Sequence, residues 1–299
     1  MLLPRFRVRT ANYVPLHSKF RAVRYVGLLL PFLCVAVSLA SGADAPAPQP
    51  LDLGYRSLYN LDFTAAHQAF STWEQQHPDS PLGPASEAAE LLFSEFERLG
   101  VLESQFYVND ASFAARKKLS PDPEVRKKFD AALERADKLA HSRLASDPRD
   151  HDALFALTLS SGLKADYAAL IEKRNLASLH YTRESTAWAN QLLAVHPDCY
   201  DAHLAGGISK YLIGSMAAPM RWILRLGGVS GDKQGGITEL QLTAERGHYL
   251  APFARILLAI AYVREKDKTR ACETLASLRD EFPKNPLFAR ELARLDATH

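Results

Sequence analysis

Cysteine and recognisable catalytic motifs are scarce in this sequence. Its 299 residues include three cysteines, and they contain no Gly-x-Ser-x-Gly turn, no phosphate-binding loop and no His-Glu-x-x-His metal helix. Two histidine pairs, His141 with His151 and His196 with His203, are ten and seven residues apart. Neither spacing is the four-residue step of a zinc helix. The absence of these patterns argues against an enzyme and against a bound metal or cofactor.

The remaining reactive side chains form no catalytic group in the sequence. Cys199 and Cys272 are the cysteines beyond the N-terminal segment, and an exported protein could join them. The sequence does not bring their Cα atoms within the roughly 7 Å that a disulfide requires, so two isolated, partly buried thiols are favoured. The three glutamates Glu90, Glu95 and Glu97 are interpreted as a solvated helix face.

Negative charge is absent from residues 1–43, which carry six Lys and Arg side chains. An apolar run, Val26–Ala40, follows the cations, and small residues precede Ala43. This order is that of a secretory signal, with cleavage expected near Ala43. A retained N-terminal membrane anchor and a cytosolic chain with a buried helix are the alternatives. Cleavage is favoured because Pro31 interrupts the run and about 20 apolar residues are needed to span a bilayer.

Removal of residues 1–43 reverses the sign of the net charge. The whole chain has 36 basic and 34 acidic side chains and a charge of +2, whereas the remainder has 30 and 34, a charge of −4. No nucleic-acid partner is therefore expected. Residues 44–50 form a Pro/Ala linker, and residues 51–299 form the folded domain. We expect this domain in the periplasm, or held at the inner membrane facing the periplasm, with membrane contact through residues 25–43.

A repeated helical pattern fills the rest of the chain. Near the C-terminus, small residues at Ala259 and Ala271 alternate with bulky Tyr262 and Leu275, before a helix-ending Pro283. This spacing predicts two antiparallel helices of about 14 residues each. The same frame recurs near the start as Leu53, Gly54, Ala66, Phe70, Trp73 and Pro78. Weaker copies lie at Ala136, Ala140 and Pro148, at Ser185, Ala189, Leu192 and Pro197, and at Gly206 and Gly207.

The pattern resembles the tetratricopeptide repeat (TPR) superfamily over most of residues 51–295. The stretch Ser230-Gly231-Asp232, with Gly236 and Leu240, also resembles a group of bacterial envelope proteins of this type. The resemblance implies an all-α fold, a right-handed superhelical α-solenoid of about four to five TPR-like hairpins. In such a stack each hairpin touches only its neighbours. It also implies protein–protein binding without an active site.

Inserts are expected in two of these hairpins, at residues 164–175 and 214–231. The second insert contains a short amphipathic helix, with Trp222 on its apolar side and Arg221 and Arg225 on another. Packing of this helix on the scaffold is favoured. A lid over the groove and an interfacial membrane contact are the alternatives.

The concave groove of the superfamily is lined by first-helix side chains, and here these are mostly apolar where Lys, Arg and Asn are usual. A bare strip of this kind would promote aggregation. We therefore predict that the inserts and residues 106–119 fill the groove, or that it receives an apolar helix or an acyl ligand. The candidate groove residues are Leu51, Tyr55, Leu58, Phe155, Leu159, Leu204, Ile208, Tyr211, Phe253, Ile256, Ile260 and Val263, with Trp222 as a further partner contact.

Three functions are compatible with these interpretations. The favoured one is an exported scaffold or protein-interaction module of the cell envelope, without catalytic activity. The alternatives are a carrier or chaperone for an apolar segment or lipid, and an enzyme built on a helical solenoid.

Overall fold

The computed structural model describes residues 49–103, 118–215 and 231–297. Within these ranges there are eleven α-helices and no strand. The predicted signal segment, the linker up to residue 48, residues 106–117 and the helix around Trp222 lie outside the described residues. The helices are α1 Pro50–Tyr59, α2 Phe63–Gln76, α3 Leu82–Arg98, α4 Pro123–Ser146, α5 His151–Asp166, α6 Asn175–Val195, α7 His203–Ser215, α8 Lys233–Arg246, α9 Ala251–Arg264, α10 Lys268–Glu281 and α11 Pro286–Asp296.

Consecutive helices pair into five hairpins, α1/α2, α3/α4, α5/α6, α7/α8 and α9/α10, and α11 packs on the last of them. Each hairpin also packs on the next one along the chain. This arrangement confirms the predicted all-α solenoid of TPR-like hairpins, at the upper end of the expected number.

Several helices begin at capping side chains, and the second helices of four hairpins end before the prolines that the sequence pattern identified. An Asp or Asn side chain accepts a backbone N–H at the start of α2, α4, α5, α8, α10 and α11, which satisfies donors that the first helical turn leaves open. A proline lies two residues beyond the last residue of α2, α4, α6 and α10. The capping residues are Asp62, Asp122, Asp150, Asp232, Asp267 and Asn285, and the prolines are Pro78, Pro148, Pro197 and Pro283.

Small residues occupy the close helix crossings, as predicted. A Cβ atom on Gly54 would collide with the ring of Phe70, which is fully buried. A Cβ atom on Gly236 would lie 2.5 Å from the backbone nitrogen of Tyr211. Ala66 and Ala271 have no exposed surface. Leu53 is 44% exposed, whereas Leu258, at the matching position of the late copy, is buried. No described hairpin precedes α1 in the chain.

The predicted insert at residues 164–175 is mostly helical. α5 runs to Asp166 and continues through a π-helical turn, Tyr167–Ile171, and α6 already begins at Asn175. Among the described helices, only His151–Ile171 is long and apolar enough to cross a membrane, and 67% of its most apolar 18-residue window is buried within the protein. Its burial is that of a core helix in the third hairpin.

The first and last parts of the described domain touch each other directly. The amide nitrogen of Asn285 donates to the carbonyl oxygen of Tyr59 at 2.9 Å, and the backbone N–H of Lys284 donates to Asn60 Oδ1 at 3.1 Å. The rings of Tyr59 and Phe282 lie 5.5 Å apart. Hairpins therefore do not touch only their neighbours, and the stack closes on itself.

The interpretation of the glutamates on α3 was wrong for two of the three. Glu95 is only 2% exposed, forms a two-pronged hydrogen bond with Arg98, and accepts the backbone N–H of Asp122 at 2.8 Å. Glu90 is also buried, with His67 3.5 Å away. Only Glu97 is exposed. Glu95 thus links α3 to the start of α4, a contact between residues distant in sequence.

Candidate functional site

Closure of the stack leaves a small central cavity of about 90 Å³, partly open to solvent, where the first helices converge. Its walls come from α1, α3, α5, α6, α7, α9 and the segments before α7 and α9. The predicted groove residues that line it are Tyr55, Leu58, Leu159, Leu204, Ile208 and Phe253.

The other predicted groove residues lie elsewhere in the core. Phe155 is buried, with its ring 6.2 Å from that of Tyr249, and Leu51 and Tyr211 are also buried. The α9 residues Ile256, Ile260 and Val263 are partly buried and do not line the cavity. The structure thus brings together about half of the predicted strip around one internal space.

Aromatic side chains join α1 to the segment before α9. Tyr249 stacks on Tyr55 with ring centroids 4.8 Å apart, and the Tyr59 hydroxyl donates to the Tyr249 carbonyl at 2.8 Å. The Tyr55 hydroxyl accepts a hydrogen bond from Ser86 at 3.1 Å. Burial raises the pKa of both the Tyr55 and Tyr59 phenols, so neither ionises in the physiological range. Tyr55, predicted as a partner contact, is instead an internal packing residue.

Asp201 ties the same segment to the start of α7. Its carboxylate accepts the backbone N–H groups of Tyr249 at 3.0 Å and Leu250 at 3.1 Å. The residue is 5% exposed, and burial raises the pKa of this carboxyl, although these backbone donors and His248 oppose the rise. Each oxygen of the Asp201 carboxylate therefore accepts a backbone hydrogen bond, and Asp201 is a structural residue at the wall of the cavity.

Asp166, the last residue of α5, also lines the cavity. Its carboxylate has no hydrogen bond or ion pair with the described residues. Desolvation by burial raises the pKa of this carboxyl to about 7. Sequence reasoning missed Asp166 because it lies within the predicted insert, where a carboxylate is usually solvated. No sequence signal distinguishes it from the other acidic residues.

A histidine pair lies beside Cys199, at the turn that ends the third hairpin. His151 is hydrogen-bonded to Asp152 at 3.0 Å, and its ring lies 5.2 Å from that of His196. Asp152 and Cys199 raise the pKa of His151 to about 10, so it is a cation at neutral pH. The fold thus brings His151 next to His196, whereas spacing in the sequence had grouped each of them with a different histidine. No group of three or more metal-ligating side chains occurs within the described ranges.

The two cysteines beyond the N-terminal segment are not joined in the structure. Cys199 and Cys272 are both half-buried, and neither is in a disulfide.

An outer cleft of about 580 Å³ lies between α4, α5, the π turn and α6. Phe129 and Tyr167 stack at 5.2 Å on its floor, and the Arg126 guanidinium lies 4.1 Å above the Tyr167 ring. Charges of both signs surround this floor, several of them paired, such as Lys164 with Asp137. Two buried oxygens of the lining residues, Asp137 Oδ1 and the Tyr167 hydroxyl, have no hydrogen-bond partner among the described residues. The cleft combines an apolar floor with polar groups that can bond a partner.

Comparison with known proteins yields a weak structural likeness. The structure is similar to that of a thermophilic TPR protein of Thermus thermophilus, with 17% identity and a TM-score of 0.44, over 83% of this chain and 97% of that chain. A likeness this weak carries no argument, and the fold assignment rests on the hairpins themselves. No protein-family model matches the chain, and no curated protein matches it significantly.

Proposed function

We propose that this protein is a protein-interaction or scaffold module that binds its partner on the outer surface of the helical stack. The observation that carries this proposal is the closure of the stack by Tyr59 and Asn285. Closure leaves a cavity of about 90 Å³ where the superfamily groove would bind a segment. Pockets for drug-sized ligands are typically about 300–1,000 Å³, so the small volume of this cavity argues against an apolar helix or an acyl chain as its ligand.

The outer cleft is the best candidate for partner recognition. Its volume of about 580 Å³ is within the range of binding sites. Its stacked aromatic floor offers apolar area, and Glu134 and Lys138 on α4 supply exposed charges of both signs at its edge. An apolar centre with a polar rim is the common anatomy of protein interfaces. A peptide segment with an apolar anchor and flanking polar groups fits this surface.

The proposal includes export to the cell envelope. Residues 1–43 lack acidic side chains and contain the apolar run Val26–Ala40, which supports a secretory signal. Expression of the full chain in the native host, followed by N-terminal sequencing of the envelope fraction, tests this part. A mature chain starting near Asp44 is expected. Recovery of an intact N-terminus in the cytosol contradicts export.

Site-specific photo-crosslinking tests the interaction surface. A photoreactive phenylalanine replaces Tyr181, which lines the cleft, or, as the matched control, Glu273, which is exposed on α10. In the native host we expect one protein to be crosslinked from position 181 and not from position 273. Glu134→Lys should weaken that crosslink because it reverses a charge at the cleft edge. Equal labelling from both positions, or crosslinks to lipid alone, contradicts the proposal.

A further inference from the structure

The outer cleft follows α4 over most of the length of that helix. Its lining residues on α4 extend from Arg126 to His141, which at about 1.5 Å per residue is a length of about 22 Å. The opposite rim is formed by α6, which runs in the same direction. Glu172, just before α6, pairs with Arg126 at 3.2 Å, and the Trp188 ring lies 6.0 Å from that of His141 at the other end. The cleft therefore has two parallel helical rims.

Charges of the two signs are equal in number around the cleft. Four Lys and Arg side chains and four carboxylates line it, and six of these eight groups are joined in ion pairs. The other two, Glu134 and Lys138, form no ion pair with the described residues and are exposed on α4, one turn apart. A partner with charges of a single sign would be repelled by one of them. A surface that carries both signs in the reverse order matches both.

Glu134 and Lys138 are complementary to their own copies. When two copies of one helix pack antiparallel about a two-fold axis, positions equally distant from the axis along the chain face each other. An axis level with Ala136 places Glu134 of one copy against Lys138 of the second, and the reverse contact follows by symmetry. Two attractive contacts thus form at once, and no like charges meet at these positions. The surface that matches the edge of the cleft is therefore the same edge of another copy.

An exposed leucine lies on the α6 rim of the cleft. Leu176 is two residues beyond the lining residue Arg174 and is 86% exposed, more than any other large hydrophobic side chain in the described ranges. A two-fold axis that reverses α4 also reverses α6. The Leu176 end of one cleft therefore faces the end of the second cleft that lies towards Trp188. Burial of Leu176 between the copies removes its apolar surface from water.

We propose that the outer cleft is the contact surface of a symmetric homodimer, in which α4 packs antiparallel on α4 of a second copy and Leu176 is buried between the copies. The homodimer rests on the proposed function of the cleft, since it names the partner that the cleft receives. A two-fold dimer buries the same patch on both subunits, as the equal charges and the shared apolar floor require.

Photo-crosslinking between two tagged copies tests the dimer. The full chain is expressed in the native host in two forms with different C-terminal epitope tags, each with photoreactive phenylalanine at position 181 in the cleft. We expect irradiation to give a product of twice the mass of one chain that contains both tags. The matched control, with the photoreactive residue at the exposed position 273 of α10, should give no such product.

Charge reversal on α4 makes the test specific for the antiparallel contact. Glu134→Lys creates an edge with two cations, and Lys138→Glu creates an edge with two carboxylates. Each variant should therefore repel its own copy and associate about tenfold more weakly, since two exposed attractions become repulsions. Co-expression of the two variants places cations against carboxylates and should restore the product, as should the double variant E134K/K138E.

The exposed leucine has its own variant and control. Leu176→Ser should reduce the amount of the product that carries both tags, because the side chain no longer buries apolar surface. Leu53→Ser, at another exposed leucine, on α1, should leave the amount unchanged. An equal effect of both variants contradicts the burial of Leu176 between the copies.

The homodimer is overturned if no product contains both tags, or if Glu134→Lys and Lys138→Glu yield as much of it as the wild type. It is also overturned if the two variants together give no more product than either one alone. Crosslinking of position 181 to a different protein, without a product of two copies, overturns the homodimer and leaves the proposed function standing. Absence of any protein crosslink from position 181 contradicts both.

Discussion

Replacement of Asp166 by asparagine should stabilise the protein, and the gain should grow with pH. The carboxyl has a pKa of about 7 in the folded protein against an ordinary value of 3.8. Because the folded state holds the proton more tightly, ionisation costs the wild type nothing below the ordinary pKa. The cost grows as pH rises from about 4 and is complete above about 7. Asparagine, which cannot ionise, avoids it.

The size of this effect follows from the two pKa values. One pKa unit corresponds to about 1.4 kcal/mol, so the cost to the folded state is at most about 4 kcal/mol at alkaline pH, because the Asp166 side chain is only partly buried. About half of this upper bound, at most roughly 2 kcal/mol, should appear between pH 5.5 and pH 8.5. Asparagine has nearly the same shape as aspartate, so the packing around α5 is preserved.

Urea denaturation followed by circular dichroism measures the free energy of unfolding for both proteins at pH 5.5, 7.0 and 8.5. The difference between variant and wild type, rather than either curve alone, isolates the single group from all other titrations. Asp198→Asn, at an exposed position, is the control for the loss of one negative charge from the surface. A difference between Asp166→Asn and wild type that is constant across the three pH values would refute the reasoning. It would mean that the carboxylate is as well solvated in the folded state as in the unfolded chain.

Two other predictions concern the closure of the stack and the cysteine beside the histidine pair. Asn285→Ala should lower the free energy of unfolding by about 1–3 kcal/mol, since it leaves the buried Tyr59 carbonyl without its donor; urea denaturation measures this. Asn190→Ala, at an exposed position of α6, is the control. An equal loss of unfolding free energy in both variants would contradict a specific contribution of the closure contact to stability. Cys199 should react with iodoacetamide faster than Cys272 at pH 7, because the His151 cation lies beside it. Mass spectrometry of timed samples should show this advantage disappear in His151→Gln; persistence of the advantage would contradict the role of the imidazolium.

The elements that could be predicted from sequence depend on neighbours close in the chain. Ala259 and Ala271 lie on adjacent helices of one hairpin, and Pro283 ends the second helix through its own missing N–H. Such local rules hold wherever the hairpin lies in the stack. The same logic failed for Glu95, whose partner at residue 122 begins a different helix. It also failed for His151 and His196, which are distant in sequence but adjacent in space.

The sequence by itself determined that this protein is a stack of TPR-like helical hairpins with an unusually apolar set of first helices. Periodicity, small residues and prolines suffice for this, because they act over one or two turns of helix. Only the tertiary structure decided what the apolar strip does. Tyr59 contacts Asn285 across more than 200 residues, which closes the stack and places Tyr55 and Asp166 on the wall of a small cavity. Contacts of that range depend on the accumulated geometry of every hairpin between them, which no local pattern records.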